Sequence, residues 1–145
     1  MADRDDLPEA PSIQVLYWIL LGGVFVIAAV FVALSRRLGP LMASAPAQLP
    51  WFAYGLSMFA LGTLAYALVV ARPRIPQRPP SQSVADYWLD SLVRGPAILL
   101  WVCCEGASIL SLVGFLLTGS LVPLAVALAA VGTFLSLSPG RLAGE

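Results

Sequence analysis

The sequence predicts an all-α integral membrane protein, a four-helix bundle with a short interfacial helix before its third span. Of the 145 residues, 59% are hydrophobic and only 11% are charged, and the mean hydropathy is +0.88. Soluble domains are about half apolar and about a quarter charged, so this chain lacks the polar side chains needed to cover a water-facing surface. Its long apolar stretches also lack the period-two alternation of a membrane barrel strand, which leaves helices.

Four stretches approach or exceed the roughly 20 apolar residues with which an α-helix crosses a bilayer. We expect spans at 13–35, 51–71, 96–117 and 121–138. An acidic tail over residues 1–12 precedes this membrane domain of 13–138, and a short tail over 139–145 follows it. The charge of the first tail argues against a secretory signal, whose leading region is positive.

The connections between the spans differ in kind. The loop over 36–50 contains three prolines and Gly39, which stop and restart helices. Four prolines within residues 72–83 predict a stiff, extended strap, the first part of a cytoplasmic segment over 72–95. The turn at 118–120 is so short that the third and fourth spans must form an antiparallel hairpin.

The end of the strap predicts a short helix at the membrane surface. Ser83 is a suitable N-cap for a helix over 84–94. Tyr87 and Trp88 are expected to lie among lipid headgroups, with Arg94 as a third interfacial anchor. The alternative is that residues 84–94 form the first turns of one long third helix, and the sequence favours neither interpretation.

The distribution of arginine predicts a multi-pass protein of the bacterial inner (plasma) membrane with both termini in the cytoplasm. All eight basic residues are arginines, and cytoplasmic loops carry the excess of basic residues. This orientation places six of them inside and only Arg36 and Arg37 outside. The six are Arg4, Arg72, Arg74, Arg78, Arg94 and Arg141. The arginine-only basic set and the abundance of alanine are typical of a GC-rich bacterial genome.

Glu105 is the one formal charge well inside a predicted span, near the bilayer midplane. Because a charge at that depth is costly, we expect the neutral acid, with Ser108 one turn later as a hydrogen-bonding partner. The carboxyl then binds a proton or cation during transport, or contacts a partner subunit. The remaining alternative is that the carboxyl has only a structural role and forms its hydrogen bonds within the bundle.

The composition argues against catalysis and against a bound cofactor. The chain has no His, and Cys103 and Cys104 are neighbours that point about 100° apart on a helix, too far for bridging. No Ser/His or Cys/His pair and no metal-ligand set is present, and the net charge is zero. We therefore expect no enzyme activity, no metal, no cofactor and no nucleic-acid partner, and we interpret the two cysteines as packing residues.

Small residues recur at helical spacing in three of the spans, which lets helices approach closely in lipid. The predicted packing residues of the third span are Ala107, Ser111 and Gly114, with Cys103 one turn before them. The stripe of the second span is Ala53, Ser57, Ala60, Leu64, Ala67 and Ala71, and that of the fourth is Ala125, Ala129 and Thr133. We expect these faces to pack the bundle itself, with contact to a partner helix as the alternative.

The segment 94–119 resembles a group of small uncharacterised bacterial four-span membrane proteins. In that group an Arg enters the third span, a Glu followed by a small residue lies mid-span, and Thr-Gly closes the turn, as Arg94, Glu105 and 118–119 do here. A Pro follows the fourth span, as Pro139 does, so the likeness covers residues 94–139. The resemblance implies a four-span fold and no assigned activity.

A second likeness is to the proteolipid subunit of rotary ATP synthases, which has a basic loop with Gln and Pro before a span with one carboxylate. Residues 77–79 (Gln-Arg-Pro) and Glu105 match that arrangement. This resemblance implies a proton-carrying carboxyl. The chain departs from the proteolipid pattern in its two additional spans and in the absence of a dense glycine series before the loop.

These observations predict a non-catalytic accessory or structural component of a membrane complex. Its partners would be the lipid bilayer and other membrane protein subunits. The alternative is a proton- or ion-coupled translocation element that uses Glu105. The two hypotheses differ in the surroundings that they predict for Glu105: a water-filled path for translocation, and a packed interface for an accessory component.

Overall fold

A computed structural model describes residues 12–41 and 49–144, and every regular element in these ranges is a helix, which confirms the all-α prediction. The helices are α1 (Ile13–Leu38), α2 (Leu49–Tyr66), α3 (Val84–Leu89), α4 (Ser91–Thr118), α5 (Leu121–Ser136) and α6 (Pro139–Leu142). The helical path of α2 continues through a π-helical turn, Ala67–Ala71, and a 3₁₀ turn, Arg72–Arg74.

Three helical stretches are long and apolar enough to cross a membrane. They are Ile13–Leu38, Trp51–Arg74 and Ser91–Thr118. Helix α5 is equally apolar but has only 16 residues, which corresponds to about 24 Å of helix. The expected fourth span is therefore present as a helix that is shorter than the other three.

Helix α4 is the centre of the fold, because α1, α2 and α5 all pack against it. Helices α2 and α5 also pack against each other, whereas the main contacts of α1 are with α4 and α6. The tight turn between α4 and α5 has the expected form: Gly119 adopts the left-handed conformation (φ 67°) that ends α4. Ser120 then caps α5 through a bond from the amide of Val122.

The strap is shorter than the sequence predicted, because the helix of the second span runs to Arg74 and the extended chain begins at Ile75. The short helix before the third span also exists, but it ends at Leu89. Asp90 is extended (ψ 122°), and its carboxylate accepts a hydrogen bond from the amide of Leu92 at 2.9 Å. The break therefore lies at Asp90, within the predicted helix over 84–94, and α4 begins five residues before the predicted start of the third span at 96.

In the second long helix the small side chains face inwards, and large apolar side chains of α1 and α2 face outwards. All six residues of the predicted stripe of the second span are buried. In contrast, Trp18, Val26, Met58 and Phe59 are each at least 65% exposed. So many exposed large apolar side chains are unusual for a monomeric water-soluble domain.

The stripe predicted for the fourth span does not pack the bundle itself as expected. Ala125 and Ala129 are exposed, and the buried face of α5 lies about one residue away around the helix. The buried residues are Pro123, Val126, Ala127, Ala130 and Phe134. Because α5 is apolar on all sides, small residues alone did not define its rotation, and bulky Phe134 takes the inward position.

Candidate functional site

Glu105 lies on α4 at the contact with α1 and is partly buried. An ideal Cβ on Gly23 of α1 would lie 3.6 Å from the Oε1 atom of Glu105. Gly23 therefore provides the space that the carboxyl occupies. Gly22 and Gly23 are neighbours in the first predicted span, and no pattern in the sequence indicated that Gly23 would face this acid.

Ser108 does not act as the hydrogen-bond partner that the sequence suggested. Its hydroxyl donates to the carbonyl of Cys104 at 2.8 Å, the usual bond of a helical serine to the preceding turn. Within residues 12–41 and 49–144, no group makes a hydrogen bond with the Glu105 carboxyl. The carboxyl is thus placed beside α1 without a described partner.

The cysteines before Glu105 differ in their surroundings. Cys104 is fully buried in the core, whereas Cys103 is only partly buried, and both are free thiols. Among the residues that the structure describes, no group of three His, Cys, Asp or Glu side chains could hold a metal ion. The arrangement offers no visible chemistry for these thiols beyond packing.

The two expected aromatic anchors face the protein instead of the bilayer surface. Tyr87 is 1% exposed and Trp88 is 8% exposed. The Tyr87 hydroxyl donates to the carbonyl of Pro76 at 2.8 Å, and the ring of Trp88 lies 6.1 Å from that of Trp101. Their helix lies against α4, so these rings join the core, while Arg94 on α4 is partly buried.

An aromatic cluster connects this end of α4 to α1 and α5. The ring of Tyr17 lies 5.3 Å from that of Trp101 and 5.1 Å from that of Phe134. The indole of Trp101 donates to the carbonyl of Leu137 at 2.8 Å, and the Tyr17 hydroxyl donates to the carbonyl of Phe134 at 3.3 Å. The indole N–H and the phenol O–H therefore both have a hydrogen-bond partner inside an apolar core.

The predicted packing residues of the third span, Ala107, Ser111 and Gly114, are all buried. Gly114 lies where three helices meet: an ideal Cβ there would be 3.2 Å from Cβ of Pro123 and 3.4 Å from Cδ1 of Leu56. The hydroxyl of Ser111 is buried without a hydrogen-bond partner in the described part of the chain. The contact of α4 with α2 and α5 is therefore close and largely apolar.

No protein-family model, curated protein or solved structure matches this chain. Its function is therefore inferred from its geometry. Apart from the expected interfacial anchors, the residues that the sequence proposed fall into two places, Glu105 beside α1 and the packing residues at the contact with α2 and α5. A third place, a cleft lined by Arg72, Arg78 and Arg141, was not predicted, because these arginines were interpreted only as topology signals.

Proposed function

We propose that this protein is a polytopic membrane protein that acts as a non-catalytic accessory or structural component of a membrane complex. The observation that carries the membrane placement is the outward exposure of large apolar side chains around small, buried ones. Trp18 is 65% exposed and Phe59 71% exposed, whereas Ala60 and Ala67 are fully buried. Hydrocarbon is the solvent that suits such a surface.

The surroundings of Glu105 favour the accessory role over translocation. A proton path needs groups that deliver and remove the proton, and α1, α2 and α5 contain no Asp, Glu, Lys or His. The carboxyl faces Gly23 and has no described hydrogen-bond partner. A polar group so placed at the edge of a helix contact is suited to pairing with a donor on a neighbouring subunit.

Paired substitutions of Glu105 separate the two roles. Under the accessory role, Glu105→Gln retains a hydrogen-bonding group, and the proteins that co-purify with the chain in mild detergent should be unchanged. Glu105→Leu should reduce their recovery, since a hydrogen bond to a charged or polar partner contributes about 1–3 kcal/mol. Neither change should lower the folded yield of the chain alone, because no described bond within it is lost.

The alternative, a proton- or ion-coupled translocation element, predicts the opposite pattern. Glu105→Gln would abolish ion flux into proteoliposomes while leaving assembly intact, because only titration is lost. A hydrophobic carbodiimide would label wild-type protein at Glu105, and the labelling would fall as the pH rises. Flux that disappears in Glu105→Gln with full recovery of partners would overturn the accessory proposal.

We also propose the inner membrane of a bacterium as the location, with both termini in the cytoplasm. The supporting observation is the distribution of the arginines. Arg72, Arg78 and Arg141 cluster around one cleft, whereas Arg36 and Arg37 lie outside that cleft, in the last turn of α1. In a background without native cysteines, an impermeant maleimide should label Ser81→Cys only after the membrane is opened. Leu41→Cys should be labelled from outside, and the reverse pattern would contradict the orientation.

A further inference from the structure

A cleft of about 750 Å³ lies between the end of the second long helix, the strap and the segment that follows α5. Three guanidinium groups line it, those of Arg72, Arg78 and Arg141. Apolar side chains, including Leu68 and Leu142, complete the lining. No acidic side chain is among the described residues that form it, and the three arginines are its only charged lining residues in the described part of the chain.

Hydrogen bonds hold the strap side of this cleft in place. The Nε atom of Arg78 donates to the carbonyl of Ala143 at 2.9 Å, and Nη1 donates to the carbonyl of Gln82 at 3.0 Å. The bond from Tyr87 to the carbonyl of Pro76 fixes the strap against α3. Burial raises the pKa of the Tyr87 phenol above its ordinary value, and the positive charge of Arg78 opposes that rise.

The other two arginines are positioned to bind rather than to support the fold. Arg72 and Arg141 are exposed, and neither side chain makes a hydrogen bond with the described part of the chain. Arg72 directly follows the π-helical turn Ala67–Ala71, a rare geometry that is frequent at functional sites. Arg78, whose guanidinium is held by two hydrogen bonds, therefore lines the same cleft as the exposed Arg72 and Arg141.

We propose that this cleft binds a phosphate-bearing anion, and that the source of the anion is the headgroup of an anionic phospholipid. Guanidinium groups match phosphate oxygens through paired, charge-assisted hydrogen bonds. Leu68 and Leu142 beside the arginines suit the glycerol and first methylenes of a lipid, which a free anion lacks. The choice of a lipid source rests on the membrane placement proposed above, since basic pockets at helix ends are where headgroups bind.

Native mass spectrometry of the full chain, with added phosphatidylglycerol or phosphatidylcholine, tests this proposal. Wild-type protein should retain phosphatidylglycerol and not the zwitterionic lipid. The double variant Arg72→Gln/Arg141→Gln should bind it more weakly, by roughly tenfold for each guanidinium removed. Arg74→Gln is the matched control, because Arg74 is an exposed strap-end arginine outside the cleft, and it should bind as wild type does.

Circular dichroism should show unchanged helix content in both variants, since none of the substituted side chains makes a described bond. Equal retention by the double variant, equal loss in Arg74→Gln, or equal retention of phosphatidylcholine would each overturn the proposal. A parallel titration with inorganic phosphate distinguishes the sources. Binding of inorganic phosphate that depends on Arg72 and Arg141, without lipid retention, would support the anion site and overturn the lipid source.

Discussion

The central helix α4 has two contacts of opposite character, and comparing them separates what holds the fold from what is left for function. One is the small-residue seam, formed by Ala107, Ser111 and Gly114 where α4 meets α2 and α5. The other is the α1 seam, where Trp101 and Glu105 of α4 meet Tyr17 and Gly23 of α1.

The small-residue seam leaves no spare space. A Cβ on Gly114 would already be within 3.2 Å of Pro123, closer than ordinary van der Waals contact. The α1 seam contains the aromatic contact of Tyr17 with Trp101, and further along it Gly23 faces a carboxyl at ordinary contact distance. Helix α4 therefore packs tightly against α2 and α5 at Gly114, whereas its contact with α1 includes a carboxyl that has no hydrogen-bond partner among the described residues.

Gly114→Leu should have the largest effect of any single substitution in the two seams. The new side chain would collide with Pro123 and Leu56, and overpacking costs about 1–3 kcal/mol, occasionally more. We expect the free energy of unfolding to fall by an amount at the upper end of that range, measured by titrating the protein from mild detergent into SDS. Folded yield should fall in parallel.

The control for that change is Gly106→Leu on the same helix. Gly106 is exposed, and nothing lies within 4 Å of an ideal Cβ there. Its unfolding free energy should match or slightly exceed that of wild type, because the added side chain meets no other atom and leucine favours helix over glycine. Equal stability of Gly114→Leu and Gly106→Leu would mean that the small-residue seam is not close-packed.

Trp101→Phe should have an intermediate effect, at the aromatic end of the α1 seam. The change removes the hydrogen bond to the carbonyl of Leu137 and leaves that carbonyl without its donor in the core. Such a loss costs about 1–3 kcal/mol. Trp18→Phe is the control, since Trp18 is 65% exposed. If both variants unfolded alike, the buried indole bond would not contribute to stability.

Much of this architecture follows from the sequence, because hydrophobic length and turn residues are local signals. The helices, the turn at Gly119 and the inward face of α2 were predicted from such signals. The rotation of α5 was not, because an evenly apolar helix gives no periodic cue. The position of Tyr87 and Trp88 was also missed, since an aromatic pair near a span end has the same pattern whether it faces lipid or protein.

The candidate functional sites were likewise only partly predictable from the sequence. Glu105 was evident from the sequence because a lone acid in an apolar stretch is conspicuous. Its neighbour Gly23 was not, since the two residues are far apart along the chain and no periodicity links them. The arginine cleft was missed for the same reason: Arg141 joins Arg72 and Arg78 only after the segment beyond α5 folds back onto the strap.

The smallest effect, and the sharpest comparison, comes from making the same change in both seams. Gly23→Ala adds a methyl group 3.6 Å from the Glu105 carboxyl, an ordinary contact, and alanine favours helix by up to about 1 kcal/mol over glycine. Its unfolding free energy should lie within about 0.5 kcal/mol of wild type or slightly above it. Gly114→Ala adds the same methyl group 3.2 Å from Pro123 and should be the less stable of the two variants, because the proline ring must shift to make room. SDS titration of the two variants side by side measures the difference, in which helix propensity largely cancels. If Gly23→Ala were the more destabilising of the two, the α1 seam would be the tighter contact and the comparison would be reversed.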